Sequence, residues 1–273
     1  MNKDNYHKII QLLRHGDKTN TQLAFKLLEG LGLPILNYHK LEHKLLVTVP
    51  QFQRLVDYGW IEFLIKDVRY LAFQEDWKIK HKLPDTPLIP EEVWQFKNLN
   101  TLLYSHYGVE ELDERIGELT ELRKISLCHN KLQKLPQSIG KLHKLKTLYL
   151  SDNQLNQDNS FPEKFGQLKS LKSLSLRLNQ LKQVPDIFQQ LPNLKNLVLG
   201  SNKLNEMPLW LDQLHLLNKL HLDDNFFTEI PIQVLDMPNL RQVHLKFNKI
   251  FKINPKIKEL KTLKRLIVRP LRP

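Results

Sequence analysis

The residues best suited to chemistry in this 273-residue chain are two histidines and two aspartates near its C-terminal end. His221 and His244 stand at the same place in two successive copies of a repeated pattern, and Asp223 and Asp224 follow the first histidine closely. If the histidines lie at equivalent positions of neighbouring strands, their Cβ atoms are about 5 Å apart, near enough to share a metal ion. A tetrahedral zinc site would also need one aspartate and a water molecule. The ordinary alternative is a polar, pH-sensitive part of a binding surface, and from the sequence we predict no bound metal or cofactor.

A nucleophilic site would have to use Cys128, the only cysteine, with His106 or His129 as its base. Side chains of adjacent residues along a strand point to opposite faces, and an open strand surface offers neither an enclosed pocket nor an oxyanion hole. The nine glycines form no phosphate-binding or dinucleotide-binding motif. We therefore predict that the chain is not an enzyme.

One apolar pattern organises residues 99–262 and returns seven times. The copies begin at Leu99, Leu122, Leu145, Leu171, Leu194, Leu217 and Leu240. Successive starting positions differ by 23 in residue number, except that the copy from Leu145 is longer by three. Its extra residues belong to the polar segment 156–160, which we expect to bulge outward. A constant period over this many copies is typical of a stacked repeat array.

Each copy predicts one coil made of a short strand and a returning turn. Leu148 and Leu150 are two residues apart, which places both on the inward face of a strand. Ile139 and Leu142 are three residues apart, which suits a helical or 3₁₀ turn on the opposite side of the coil. Pro136 fixes its own φ and cannot donate a hydrogen bond, so it marks the corner between the two halves.

The coils depend on one another. A single coil cannot bury its leucines, whereas stacked coils share a continuous core and align their strands as a curved parallel sheet. An asparagine recurs just after the strand in six copies: Asn130, Asn153, Asn179, Asn202, Asn225 and Asn248. A buried amide both donates and accepts hydrogen bonds. We therefore expect this column to satisfy the backbone groups that lose their ladder partners where the chain turns.

The repeat, written LxxLxLxxNxLxxLPxxIxxLxx, resembles the leucine-rich repeat. Its 23-residue length and LP step are similar to the intracellular class of Ras-group and Scribble-type proteins and of bacterial cytoplasmic repeat proteins. The resemblance covers residues 76–273 and implies an α/β fold, a right-handed solenoid with a curved parallel sheet and a convex side of short helical or 3₁₀ segments. Tyr107 and Asp113 replace the asparagine and proline of the first copy, and Asn254 replaces the proline of the last, as expected of capping repeats.

Residues 1–75 lack the repeat, and we predict a mostly helical cap over the open end of the solenoid core. The apolar spacing predicts two helices between Tyr6 and Gly30. Residues 34–75 stay open, since 60–73 fits either a helix or a hairpin. The rest divides into a degenerate opening coil without a strand half over 76–98, seven repeats over 99–262 and a truncated terminal coil over 263–273.

The outward strand positions are where we expect a partner to bind. With Leu148 and Leu150 inward, Tyr149 points to the opposite face of the sheet, which is concave in this curvature. The equivalent positions are Leu103, Ser126, Tyr149, Ser175, Val198, His221, His244 and Ile267. Interfaces favour aromatic, arginine and apolar side chains. The predicted partner-binding patch consists of Tyr149, Arg177, Val198, His221, Asp223, His244, Lys246 and Phe247. The alternative is a concave face without a partner, because single exposed apolar residues are normal.

The positive charge of the chain is concentrated at its C-terminal end. Of the formal net charge of +12, residues 240–273 carry +10, from 11 Lys and Arg side chains against Glu259. The side chains predicted to bind an anion are Lys256, Lys258, Lys261, Lys264, Arg265 and Arg269. Such a patch either steers an acidic protein, nucleic acid or membrane headgroups, or serves only as a solubilising cap.

Several absences bear on where the chain works. No apolar run reaches the ~18 residues of a membrane span, and the N-terminal segment lacks the apolar stretch of a signal peptide. The single cysteine excludes an internal disulfide, and the Cys-rich caps of secreted leucine-rich repeat proteins are missing. We expect a cytoplasmic, monomeric, non-enzymatic scaffold that binds a protein partner through its concave face. The alternative is electrostatic binding of nucleic acid or an anionic membrane by the basic end.

Overall fold

The computed structural model describes residues 44–47, 53, 68–73, 88–156, 158–235, 237–251 and 265–268. For 44–47 and for Arg265 it describes the backbone alone. The two helices predicted between Tyr6 and Gly30 lie outside these residues, as does the position of Asn254. Within the described residues, no helix has the length and apolarity needed to span a membrane.

The described strands form one ten-stranded sheet whose order in space follows the order of the chain. Every neighbouring pair is parallel. The strands are β1 Lys44–Val47, β2 Tyr70–Phe73, β3 Thr101–Tyr104, β4 Lys124–Ser126, β5 Thr147–Tyr149, β6 Ser173–Ser175, β7 Asn196–Val198, β8 Lys219–His221, β9 Gln242–His244 and β10 Arg265–Ile267. This topology is that of a solenoid, because a parallel neighbour can be reached only by a returning connection.

Short 3₁₀ helices make those returning connections. They span Glu91–Gln95, Glu114–Glu118, Gln137–Lys141, Glu163–Gln167, Asp186–Gln190, Leu209–Gln213 and Ile232–Leu235. Prolines stand at the N-caps of five of them, namely Pro90, Pro136, Pro162, Pro185 and Pro208. The predicted proline corner is therefore confirmed: the carbonyl of Pro136 accepts from Ile139 N at 3.2 Å and so starts the turn that its own missing N–H could not join.

The core runs between the sheet and the 3₁₀ helices, and the column of asparagines closes it along one side. Asn153 shows the pattern: its Oδ1 accepts from Leu132 N at 2.9 Å, while its Nδ2 donates to the carbonyls of Leu127 at 2.9 Å and Leu150 at 3.1 Å. Each amide thus joins its own coil to the preceding one. The other five asparagines repeat this geometry and are likewise buried, which confirms the prediction made for the column.

In the first copy, other contacts take over the roles of the missing asparagine and proline. Tyr107 is buried, and its ring lies 4.4 Å from that of Tyr104, so an aromatic pair fills the place of the asparagine. Asp113 caps its 3₁₀ helix with its side chain, which accepts from Arg115 N at 2.7 Å. A carboxylate cap therefore does at this corner what proline does in later coils.

A second carboxylate extends the capping from one coil to the next. Glu114 accepts from the backbone N–H groups of Gln137 at 3.1 Å and Ser138 at 2.9 Å. The 3₁₀ helix that starts there follows Pro136, which has no side-chain cap of its own. Hydrogen bonds from Ser138 and Gln137 hold the pKa of the Glu114 carboxyl below its usual value.

The sheet begins earlier than the boundary predicted near residue 76. Strands β1 and β2 lie within the stretch predicted to be a helical cap, and β2 pairs in parallel with both β1 and β3. The opening coil therefore has a strand half, Tyr70–Phe73, and that segment is neither the helix nor the hairpin considered for 60–73. The sequence conceals this coil because the interval from the start of β2 to the start of β3 is longer than the period of the later copies.

The insertion in the copy from Leu145 forms a loop held by its own polar groups. Asn156 Oδ1 accepts from the backbone N–H of Asp158 at 3.0 Å. Ser160 is buried; its hydroxyl accepts from Asn156 N at 2.8 Å and donates to the carbonyl of Gln133. The extra residues thus leave the strand register undisturbed, as β5 and β6 pair in line.

Candidate functional site

The open face of the sheet, meaning the side that carries the central outward strand positions, has the register predicted from the repeat. The paired residues run Leu103, Ser126, Tyr149, Ser175, Val198, His221, His244 and Ile267 in one line across eight strands. Two earlier strands continue the line through Ala72 and Leu46. At about 4.8 Å per strand, the eight predicted positions span about 35 Å.

Tyr149 shows how the strand alternation places these side chains. Its neighbours Leu148 and Leu150 are buried in the core, while Tyr149 is half-buried on the open face. The ammonium of Lys124 on the adjacent strand lies 5.5 Å from the centre of the Tyr149 ring. This distance is within the range of a cation–π interaction.

Two residues beyond the central position, the chain has already left the strand. Arg177 occupies this place after β6 and is exposed. After β8 and β9 the equivalent residues are Asp223 and Lys246, and Lys246 N donates to Asp223 Oδ1 at 2.9 Å. The predicted patch thus combines positions from the strands with positions from the turns that follow them.

Phe247, a member of the predicted patch, does not lie on a strand. It belongs to the turn after β9 and has φ of +59°, a left-handed conformation, with 65% of its surface exposed. The same turn position has positive φ throughout the array, at His106, His129, Asp152, Leu178, Ser201, Asp224 and Phe247. The strands contain three residues, so the period-two rule stops applying at the second outward position.

His221, Asp223 and His244 come together on the open face. The two imidazole rings are 4.2 Å apart, and His244 Nδ1 lies 3.8 Å from Asp223 Oδ2. One potential ligand atom from each residue lies within 4.8 Å of the other two. His244 Nε2 is buried without a hydrogen-bond partner among the described residues. Asp224, the other aspartate considered, is exposed in the left-handed turn and outside this group.

Burial lowers the pKa of His221 below its ordinary value, and the neighbouring His244 lowers it further. Asp223 raises the same pKa, while the positive charges of Lys219 and Arg177 lower it. The lowered pKa favours the uncharged form of the His221 imidazole.

Cys128 is partly exposed, and Ser126 Oγ lies 3.6 Å from its sulfur. The histidines considered as its base are engaged elsewhere: the rings of His106 and His129 stack at 4.0 Å, and His129 Nδ1 lies 2.7 Å from Asp152 Oδ2. This geometry gives the sulfur no aligned base.

The sequence reading missed three exposed apolar side chains in the turns after the strands. Together with Phe247 they form what we call the apolar rim: Leu178, Phe226, Phe247 and Phe251. Phe226 follows a column asparagine directly, where the other copies place Lys or Gln. That substitution was the available signal, because a polar residue is the usual choice for an exposed turn.

The basic residues of the C-terminal end are mostly outside the described structure. This applies to Lys256, Lys258, Lys261, Lys264 and Arg269. The backbone of Arg265 starts β10 and pairs with Gln242 of β9. Lys249, further back in the chain, is described and has its ammonium 5.2 Å from the ring of Phe226.

Comparisons with known proteins agree with this architecture. A family profile described as a leucine-rich repeat region matches residues 79–199. The chain is similar to internalin C2 from Listeria monocytogenes, with 27% identity and a TM-score of 0.56, over 66% of this chain and 75% of that one. It is also similar to InlP from Listeria monocytogenes, with 25% identity and a TM-score of 0.57, over 76% of this chain and 57% of that one.

A plant structure is similar over a longer part of this chain. The ectodomain of the receptor kinase GASSHO1/SCHENGEN3 from Arabidopsis thaliana, in complex with CASPARIAN STRIP INTEGRITY FACTOR 2, has 25% identity and a TM-score of 0.57. The similarity covers 82% of this chain and 26% of the ectodomain, so the chain spans about a quarter of that protein's length. No curated protein matches the sequence significantly. The repeat pattern, the ten-stranded solenoid and these similarities lead to one conclusion: residues 79–199 match a leucine-rich repeat region, and the described residues have the leucine-rich repeat fold, which supports protein interaction.

Proposed function

We propose that this chain is a non-enzymatic interaction module that binds a protein partner through the open face and apolar rim of its later coils. The observation that carries the proposal is the distribution of exposed apolar side chains. Apart from Leu88, every large hydrophobic residue exposed among the described residues lies between 178 and 251: Leu178, Leu209, Leu216, Phe226, Ile232, Phe247 and Phe251. Leu209 and Ile232 belong to the returning 3₁₀ helices, so the proposal rests on the apolar rim, whose members follow the strands. Exposed apolar side chains grouped in this way are typical of interaction sites.

The charged contacts have the opposite distribution. We call residues 91–152 the early coils and residues 173–251 the late coils. All but one of the ion pairs between described residues lie in the early coils; an example is Lys134 with Glu111 at 3.2 Å. The exception is His244 with Asp223. The early surface therefore satisfies its charges internally, while the late surface leaves apolar area for another molecule.

The backbone at Phe247 adds a second argument. A left-handed φ is unfavourable for a bulky side chain, at a cost of about 1 kcal/mol. The ring recovers little of this by burial, because 65% of its surface is exposed. Asp224, one coil earlier, shows that the turn accepts a residue better suited to this conformation. An exposed and strained phenylalanine is consistent with selection for binding.

The polar residues around the rim indicate the chemistry of the partner. Arg177 is exposed, and Lys246 and Lys249 lie beside Phe247 in the same turn. A partner with apolar side chains and nearby carboxylates fits this combination, and the positive charge would accelerate association. The complex of the similar GASSHO1/SCHENGEN3 ectodomain supports a protein ligand as the class of partner.

The test is affinity capture from cytoplasmic extract of the source organism, the proposed location, with the full chain as bait. We compare wild type with a Phe226→Asn, Phe247→Asn double variant, which removes two exposed rings of the apolar rim; Asn is used because it tolerates the left-handed φ at position 247. The matched control is Leu209→Ser, since Leu209 is 83% exposed but lies on the returning 3₁₀ side of its coil. A protein that is retained by wild type and by the control, and lost from the double variant, is the expected result.

Salt concentration separates this proposal from electrostatic binding by the basic C-terminal end. Binding dominated by phosphate contacts weakens by orders of magnitude between about 50 and 200 mM salt, whereas a largely apolar interface is much less sensitive. If only nucleic acid or lipid is captured, only at low salt, and equally by the double variant, the late coils are not the functional surface.

A further inference from the structure

The group His221, Asp223 and His244 combines three potential metal ligands on two neighbouring strands and the turn after one of them. The histidines are in register, so the parallel ladder between β8 and β9 fixes their separation. Asp223 is fixed from the other side, since its Oδ1 accepts from Lys246 N and leaves Oδ2 facing the histidines. We propose that His221, Asp223 and His244 bind a zinc ion, a function beyond the proposed binding of a protein partner.

The distances suit a site that closes slightly around its ion. The ligand atoms lie within 4.8 Å of one another. Around tetrahedral zinc with bonds of about 2.0–2.2 Å, neighbouring ligand atoms are about 3.3–3.6 Å apart. Rotations of the two imidazole rings and of the carboxylate, with no movement of the strands, make up the difference.

The buried nitrogen of His244 is the second observation that points to a ligand. Nε2 has no hydrogen-bond partner among the described residues, although its surface is inaccessible. A buried polar atom without a partner is unfavourable and calls for an explanation. Either nitrogen of an imidazole is able to bind a metal, so His244 can use Nδ1, which lies 3.8 Å from Asp223 Oδ2, or Nε2 as its ligand atom.

The chemistry of the three ligands favours zinc over the harder cations. Two imidazoles and one carboxylate are a common set for zinc, whereas calcium and magnesium prefer oxygen ligands alone. Arg177 and Lys219 place positive charge nearby and act against a cation, while Asp223 supplies the negative charge.

Three protein ligands leave the fourth tetrahedral position open. On the open face of the sheet this position is directed to solvent, so a water molecule fills it in the unbound chain. A side chain of a bound protein is able to replace that water.

The experiment measures zinc binding by the full chain, expressed without a polyhistidine tag and stripped with a chelator. Zinc chloride alone is the probe, and equilibrium dialysis with elemental analysis gives stoichiometry and affinity. We expect one zinc per chain. His221→Asn, His244→Asn and Asp223→Asn should each weaken binding by more than about 10-fold, because even outer-shell changes cost 10-fold or more. The last variant keeps an acceptor for Lys246 N.

Two control variants account for the other histidines of the chain. His215→Asn removes an exposed histidine from a late coil, and His129→Asn removes one member of the stacked pair with His106. Both should bind zinc as wild type does, and thermal unfolding without metal should be the same for all five variants. The proposal is overturned if wild type binds no zinc, if the three site variants keep wild-type affinity, if His129→Asn alone loses it, or if magnesium chloride binds equally well.

Discussion

The early coils and the late coils are built on the same core and carry different surfaces. Leu127 in the early part and Leu222 in the late part are both fully buried at the same position of the repeat. The same asparagine geometry holds Asn130 and Asn225. Outside the core, the early coils join neighbouring copies through ion pairs, whereas the late coils present phenylalanine and leucine to solvent.

This difference separates the residues that specify the fold from those that specify function. Surface ion pairs are worth only about 0–1 kcal/mol each, so the early coils would remain folded without them. Exposed phenylalanines are worth still less to the fold, since they leave their area in water. Neither surface is required for stability, and the proposed binding of a partner would account for the contrast.

The largest expected effect tests whether the two regions really share a core. Leu150→Asp and Leu222→Asp place a charge where the side chain is fully buried, and each should lower the free energy of unfolding by more than about 5 kcal/mol. Tyr149→Asp, one residue away on the open face, should unfold near the wild-type temperature. Circular-dichroism melts check all three. Equal melts for Tyr149→Asp and Leu150→Asp would contradict the assignment of faces.

The asparagine column should matter equally in both regions. Asn202→Ala removes the acceptor for Leu181 N and the donor to the carbonyls of Leu176 and Leu199. Each buried group left unpaired costs about 1–3 kcal/mol, so we expect a loss of about 3 kcal/mol, measured by urea denaturation. Asn130→Ala should cost the same. Exposed Asn205 provides the control, and a similar loss in Asn205→Ala would refute the bridging role.

Because its turn has a left-handed φ, Phe247 should lower the free energy of unfolding. Phe247→Asn relieves the left-handed φ and should raise the free energy of unfolding by about 0.5–1 kcal/mol. Phe226→Asn is matched in side chain and is also exposed but lacks the positive φ, so it should bring no such gain. Denaturation curves of both variants decide the point. A loss of stability in Phe247→Asn would mean that the ring packs against the chain.

The smallest effect concerns the early coils and their carboxylates. Because the pKa of Glu114 is lowered on folding, its contribution to stability is present above the unfolded pKa and is lost as the pH falls through the folded one. Glu114→Gln should therefore be less stable than wild type at pH 7, by less than in any case above, and the gap should shrink at pH 3. Unfolding free energies at the two pH values measure this. A gap that stays constant would show that the carboxylate charge is not involved.

The 23-residue period of the sequence predicted the positions of the strands that follow it and the register between them. Because the repeat recurs regularly from Leu122 onward, the line of residues through Tyr149, His221 and His244 could be derived, and the ladder has that register. The meeting of the two histidines followed from it. Strands β1 and β2 were missed because each starts further from the next strand than the common period, although Leu71 and Phe73 of β2 pair in register with the anchors of β3.

Other parts of the site depend on geometry that no residue pattern specifies. The left-handed turn at Phe247 follows from where the three-residue strand ends, and nothing in the letters FNK marks a positive φ at a phenylalanine. Asp223 joined the histidines rather than Asp224 because the backbone N–H of Lys246 holds its carboxylate in place. Such contacts depend on the neighbouring coil. The repeat pattern predicts which coil is the neighbour, but it does not predict the orientation of that coil's backbone groups.

The asparagine bridges have a consequence for how such an array can change over generations. Every amide joins equivalent groups in adjacent coils, so inserting or deleting one complete repeat restores each bridge, whereas a partial repeat breaks it. Duplication or loss of whole repeats is therefore the change that disturbs the fold least. A repeat gained ahead of Leu171 would move the ionic surface and the apolar surface apart by one strand, about 4.8 Å, without altering a residue of either. The distance between two surfaces of the array can therefore change only in steps of one coil.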